Sequence, residues 1–196
     1  VKRIGVTGGI GSGKSTFCQY LSGFGAAVID MDRLARDILT TDGSVRRDVI
    51  RSFGSASYLP DGQPDRNHLA EEAFGKGRIQ ELNGIIHPAV FRRLASLRTD
   101  ALETGVRVFV VESAILLANG RPPGIDLVVL IHATVEERVR RVVRRDGADE
   151  GAVLDRIRHQ MTEAEMRPLC DIEIANTGDP ALLRAEAERC YRQWDV

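Results

Sequence analysis

The chain is short of aromatic residues. Phe, Trp and Tyr make up 5% of its 196 residues, which leaves no row of rings for single-stranded nucleic acid to stack on. It also lacks an excess of either charge. The formal net charge is −1, so no global basic field gathers polyanions, and nucleic acid is not expected as a partner. No apolar run approaches the roughly 18 residues of a membrane span, and no membrane partner is expected. Cysteine is scarce: Cys18, Cys170 and Cys190 lie far apart, without C-x-x-C or Cys/His ligand spacing. That is the pattern of free thiols in a reducing compartment, not of a disulfide framework or a zinc site. The first residues run straight into an apolar stretch without the build of a secretory signal, and the expectation is a cytoplasmic protein. Lysine is the last shortage. Lys2, Lys14 and Lys76 are the only lysines, so one placed inside a glycine loop stands out.

What is present fits a globular protein, with 43% hydrophobic and 28% charged residues. The length suits one domain with room for a small inserted lobe. Residues 2–7 read as a strand, 15–22 as a helix ended by Gly23 and Gly25, and 27–30 as a second short apolar run. Helical spacing recurs over 33–39, 44–53, 67–74 and 78–86, with a turn at Pro60-Asp61-Gly62. Pro88 suits the first position of a helix running to about residue 104. Residues 107–112 and 126–132 are rich in Val and Ile and barely alternate, as buried parallel strands do. Thr134…Glu137 and Thr162…Glu165 have capping-box spacing, the first ahead of a basic helix. A helix over 149–160, a strand over 171–175 and a helix from Pro180 to Trp194 complete the chain. Strands alternating with helices predict an α/β fold with a parallel sheet covered on both faces. Residues 34–104 read as a mainly helical lobe inserted between the second and third strands.

Gly8-Gly9-Ile10-Gly11-Ser12-Gly13-Lys14-Ser15 satisfies G-x-x-x-x-G-K-[ST] between a strand and a helix. Phosphate oxygens need several converging backbone N–H groups, and glycine lets the backbone curl close enough to supply them. The helix that follows points its positive end at the anion. Lys14 is placed to neutralise phosphate charge, and the Ser15 hydroxyl to meet a magnesium ion. The rival dinucleotide fingerprint G-x-G-x-x-G fails, because its third glycine falls on Lys14 or Thr16. A GTPase reading fails as well: the chain has no D-x-x-G switch, and Asn176-Thr177-Gly178-Asp179 lacks the lysine of N-K-x-D.

Transfer to a bound hydroxyl calls for a carboxylate beside the acceptor. Asp30 and Asp32 close the second strand, at the end of a parallel sheet where ligands bind. Period-2 alternation places both on one face if the strand continues. Asp32 also suits the N-cap of the next helix. Arg141 and Arg145, four residues apart, share a helical face and can converge on one anion. A solvated face is the plainer reading for Arg138, Arg140 and Arg144.

Taken together, the run from Ile4 to Thr16, Val28-Ile29-Asp30-Met31-Asp32 and Ala35-Arg36 resemble the dephospho-coenzyme A kinase family. So do Asp61-Gly62, Arg66, Leu69, Phe74, Leu82, His87-Pro88, the stretch from Glu136 to Asp146, Gln160 and Asn176. The resemblance covers essentially the whole chain in order. It implies a P-loop kinase of three α/β/α layers with a five-stranded parallel sheet, in one domain. The core lies at about 1–33, 105–135 and 170–196, a helical acceptor lobe at about 34–104 and a mobile, arginine-bearing lid at about 136–169. The implied reaction passes the γ-phosphate of ATP to the 3′-hydroxyl of dephospho-coenzyme A, with Mg2+ held through Ser15. Gly9, Ile10, Gly11, Ser12, Gly13, Lys14, Ser15, Thr16, Arg141, Arg145 and Asn176 would then bind ATP. Thr7, Asp30, Asp32, Arg66 and His87 would face the acceptor, with Lys14, Asp32 and Arg141 catalytic. A monomer or weak homo-oligomer is expected. One segment departs from the family. Its Pro-Leu-Leu-Phe-Glu-like run reads here Glu112-Ser113-Ala114-Ile115-Leu116-Leu117-Ala118-Asn119, with Ala118 in place of the usual glutamate. The alternatives left open are another small-acceptor P-loop nucleoside or nucleotide kinase, or a nucleotide-binding regulatory module without enzymatic activity.

Overall fold

The computed structural model describes residues 1–195, which form five strands and nine α-helices. The strands are β1 (Lys2–Thr7), β2 (Ala27–Asp30), β3 (Val108–Glu112), β4 (Leu127–His132) and β5 (Ile172–Ala175). All pair in parallel, in the order β2-β3-β1-β4-β5. Parallel pairing gathers every strand's carboxyl end at one edge. There Val6 and Asp30 are both in register with Glu112 on β3, and Thr7 with Leu130 on β4.

The absence of alternation in the apolar runs has its cause in the layers. Along β4, Val129 and Ile131 enter one core while Val128 and Leu130 enter another. Side chains on a strand alternate between faces, so a strand covered on both sides must be apolar throughout. The larger core joins Phe17 and Leu21 of α1 (Lys14–Gly23) to Leu183, Ala187, Cys190 and Trp194 of α9 (Pro180–Trp194), against Ile4, Val6, Val108 and Val110 of the sheet. The smaller core sets Leu117 and Met166 against the opposite face of β4.

By its internal contacts the chain divides into two compact units. One consists of Val1–Asp30 with the chain from Ala101 onward and contains the sheet; the other is Met31–Asp100. The second unit is helical: α2 (Met31–Thr41), α3 (Gly43–Phe53), α4 (Arg66–Ala70) and α5 (Ile79–Glu103) up to Asp100. Asp42 and Asp65 cap α3 and α4 through their side chains. The Pro60–Gly62 turn is closed by an antiparallel bridge between Tyr58 and Pro64. Glu72 accepts from Lys76 and Arg78, and Arg78 also lies 4.2 Å from the centre of the Phe53 ring. No helix of the described residues is long and apolar enough to cross a membrane.

Two local expectations need correction. Pro88 lies inside α5, not at its start. The helix passes through the proline, whose missing N–H leaves the Gly84 carbonyl without its helical partner. Strand β2 stops at Asp30, so Asp32 sits in the first turn of α2 and does not share a strand face with Asp30. Nor is Asp32 the cap, since α2 already begins at Met31. The amphipathic spacing that buries Leu34 and Ile38 favours the helix from there, and an acid in its first turn suits the helix dipole.

The cysteines are free: Cys18 and Cys190 are buried and Cys170 half-buried. Burial pushes the Cys18 thiol well above its usual range, with Glu112 adding to the effect. Burial likewise raises Cys190 and pushes Cys170 up to about 11. A thiol attacks as its thiolate, so raised values keep all three protonated and unreactive at pH 8. We expect dithionitrobenzoate to label Cys18 and Cys190 in the native protein only as fast as it unfolds. Rapid labelling of Cys18 in folded protein would remove α1 from the core described.

Candidate active site

The site begins where β1 delivers the chain to α1 through the glycine loop. Gly8 has φ +143° and lies against the Ile131 carbonyl, which a Cβ would strike; Gly13 has φ +100° and lies against the Asn176 amide. Any other residue at either position would meet both strain and collision. Helix α1 starts at Lys14 with Gly13 as its cap, and no side chain caps it. Its first-turn N–H groups thus face outward for an anion.

The loop's carbonyls are held by side chains. Lys14 Nζ donates to the Gly9 carbonyl at 3.2 Å, and Arg138 Nε to that of Ile10 at 2.9 Å. Arg141 Nη1 donates to Gly11 and Ser12 at 3.3 and 3.4 Å, and Asn176 Nδ2 to Ser12 at 2.9 Å. Four consecutive carbonyls are therefore tied by donors from α1, from α6 (Val135–Asp146) and from the turn after β5. A carbonyl held in place fixes the N–H group of the same peptide, and a phosphate nest requires N–H groups so fixed. Gln160, beyond α7 (Glu150–Arg158), accepts from the Ile10 N–H at 2.8 Å.

Arg138 and Arg141 are three apart on α6, and it is this pair that the structure brings to the loop. Arg138 is 6% exposed; burial lowers its pKa, and Glu163, 4.0 Å away, partly offsets that. Glu137 forms an ion pair with Arg141 at 3.3 Å and accepts from Arg140 at 2.6 Å. With its carboxylate so engaged, Glu137 does not reach back to Thr134, and the expected capping box is only half made: Thr134 accepts from the Glu137 N–H. The second box, at Thr162 and Glu165 ahead of α8 (Glu163–Met166), is complete. Arg145 does not join the loop. It is exposed and held by Asp146 at 2.6 Å. Sequence spacing selected Arg141 with Arg145 and passed over Arg138, because nothing in a run of arginines says which of two helical rows faces inward.

Ser15 opens toward the strand edge, where its hydroxyl donates to Glu112 at 2.7 Å. Asp30, exposed at the end of β2, neighbours Glu112 in register. Thr16, next along α1, is exposed. Thr7 Oγ1 and Ser12 Oγ are buried beside the loop without a hydrogen-bond partner. Buried hydroxyls of that kind are ordinarily satisfied, so both retain hydrogen-bonding capacity at the loop. The atypical segment turns sharply after β3: Ser113 Oγ accepts from the Ile115 N–H, Leu117 is buried and Ala118 exposed. Asp32, Arg66 and His87 belong to the other unit, all exposed, with the His87 ring 6.0 Å from that of Phe91.

A parallel five-stranded sheet, a glycine loop after its central strand and a lysine at the first helical position define a P-loop kinase fold. The chain belongs to the dephospho-CoA kinase family, whose model matches residues 2–181. A dephospho-CoA kinase of Salinibacter ruber is 36% identical over 98% of this chain and 96% of its own length. One from Corynebacterium glutamicum is 38% identical over 95% of this chain and 94% of its own. Among solved structures, a Thermus thermophilus protein superposes with a TM-score of 0.83 at 33% identity, covering 98% of this chain and 97% of that one.

Asn176 offers a direct check on the tied carbonyls. Asn176→Asp replaces the donor facing the Ser12 carbonyl by an acceptor. Loss of a buried partner costs about 1–3 kcal/mol, and urea unfolding should register a loss of that size, together with weaker ADP binding. Unchanged stability and ADP affinity would mean that this bond does not hold the loop.

Proposed function

We propose that this chain transfers the terminal phosphoryl group of ATP to the 3′-hydroxyl of dephospho-coenzyme A. The observation that carries the reading is a phosphate loop with its carbonyls tied by side chains, in a chain whose residues 2–181 match this family. Phosphoryl transfer needs little covalent help from the protein. Positioning and charge stabilisation supply most of the rate. In this reading the N–H groups of Gly11 and of residues 13–16 cradle the phosphates, and Lys14 and Arg141 counter the charge that develops on the transferring group. Asn176 and Arg145 serve the nucleotide farther out. Asp32 orients the acceptor hydroxyl and takes its proton. Asp30 assists at the strand end, and Thr7, Arg66 and His87 contribute to acceptor binding.

The donors at the loop fit magnesium. The Ser15 hydroxyl and the Glu112 carboxylate are hard oxygen ligands in contact with each other, and Mg2+ is usually held by one or two such groups plus substrate phosphates. No cluster of three or more His, Cys, Asp or Glu suited to a metal occurs among the described residues, in keeping with an ion brought by the nucleotide. When bound, magnesium would neutralise charge across the β- and γ-phosphates. Glu112 was not singled out as a ligand by the sequence, and in this reading it takes the carboxylate role beside Ser15. The free thiols support a reducing, cytoplasmic setting, and the protein acts as a monomer or weak homo-oligomer.

The deciding experiment is ADP release with dephospho-coenzyme A beside adenosine, AMP and pantetheine. Release that depends on dephospho-coenzyme A supports the proposal. Preference for AMP or adenosine would make the chain a different small-acceptor kinase, and acceptor-independent release a nucleotide-binding module. Within that assay, Lys14→Ala should lower turnover by several orders of magnitude, as losses of transition-state charge stabilisation do. Asp32→Asn should lower it by roughly 10²–10⁴-fold, the usual contribution of a positioned base. Its stability should fall by no more than about 1 kcal/mol, the value of a first-turn acid. Asp30→Asn should be milder and should respond to magnesium concentration. A folded Asp32→Asn enzyme with normal turnover would leave Asp32 only its place in α2.

A further inference from the structure

Ile10 occupies a position that the loop motif leaves open, yet the structure holds it from three directions. Its N–H is accepted by Gln160 Oε1 at 2.8 Å, and its carbonyl accepts from Arg138 Nε at 2.9 Å. Its side chain packs against the small core that Val139 and Val142 of α6 form with Val153 of α7. All three partners come from the stretch 138–160, and none comes from the strand or helix that flanks the loop. We infer that Ile10 is the anchor through which α6 and α7 set the conformation of the phosphate loop, with Arg138 and Gln160 as positioning residues for the nucleotide.

The energetics favour a specific role over incidental packing. A guanidinium buried to the extent of Arg138, with its nearest carboxylate 4.0 Å away, is expensive to keep in place. It is retained at the one carbonyl that neither Lys14 nor Arg141 reaches. Gln160 occupies an N–H that would otherwise be free to pair elsewhere and let the Ile10 peptide rotate. Rotation of that Gly9–Ile10 peptide would take the Gly9 carbonyl off Lys14 Nζ and disturb the loop. The consequence is that the stretch carrying Arg141 cannot leave the loop as a free flap. Its inner end is fixed at Ile10, and nucleotide affinity depends on side chains that need never touch the nucleotide.

The inference rests on the proposed function only in that the loop binds ATP, so its test uses ADP alone. Amide hydrogen exchange on the nucleotide-free wild-type chain should find the Ile10 N–H protected, and Gln160→Ala should expose it. Gln160→Ala should weaken ADP binding about tenfold, and Arg138→Met at least as much, with Arg138→Lys recovering most of the loss because it still offers a donor and a charge. In steady state the KM for ATP should rise more than that for the acceptor, a split that general loss of structure would not give. Fast exchange at Ile10 in the wild-type chain would overturn the inference whether or not any variant folds. Wild-type ADP affinity in Gln160→Ala would overturn it too. A parent chain that binds no ADP removes the nucleotide role and the inference with it. A chain that binds ADP normally but phosphorylates no dephospho-coenzyme A strikes only the proposed acceptor.

Discussion

The site depends on the direction in which four consecutive carbonyls point. An extended loop of glycines has no preference for presenting N–H or C=O to a ligand, and glycine's freedom makes both accessible. Lys14, Arg138, Arg141 and Asn176 remove that freedom by giving the carbonyls of residues 9–12 fixed partners. Each bond is worth only about 1 kcal/mol net, or about twice that where the donor is charged. Acting together on adjacent peptides, they suffice to hold one loop conformation against the entropy of ordering it.

The sheet makes such convergence possible. Parallel strands bring the ends of β1, β2, β3 and β4 to one edge, so that Ser15, Glu112 and Asp30 come together though far apart in sequence. Burial of Lys14 and Arg138 collects positive charge at that edge, while Glu112, Glu137 and Glu163 engage Ser15, Arg141 and Arg138. Those carboxylates limit the repulsion among the cations before a nucleotide arrives. A triphosphate with its metal ion then enters a field already oriented, without the cost of assembling it.

The sequence made the strands and the loop legible because each carries a local signal. Val and Ile runs without alternation mean a strand covered on both faces, and the glycines at 8, 11 and 13 can stand where other residues cannot. Helix boundaries were less legible at Pro88, where local preference suggested a start and α5 simply continues. At Asp32 a two-residue difference in the end of β2 decides whether two carboxylates share a face. The contributions of Arg138, Gln160 and Glu112 were the least legible. Their roles depend on partners between 97 and 150 residues distant in the chain, and long-range pairing leaves no periodicity to read. Arg145 shows the converse: its spacing from Arg141 is right, but its neighbour Asp146 holds it outside.

If side chains rather than the nucleotide shape the loop, the loop must have the same form with and without its ligand. The most direct measurement is a pair of crystal structures of the wild-type chain, one nucleotide-free and one with ADP and magnesium. The account predicts that the backbone of residues 9–13 superposes within about 1 Å, the range of preorganised sites, with the bonds from Arg138 and Asn176 present in both. A nucleotide-free loop with its carbonyls turned inward, or without those bonds, would contradict it.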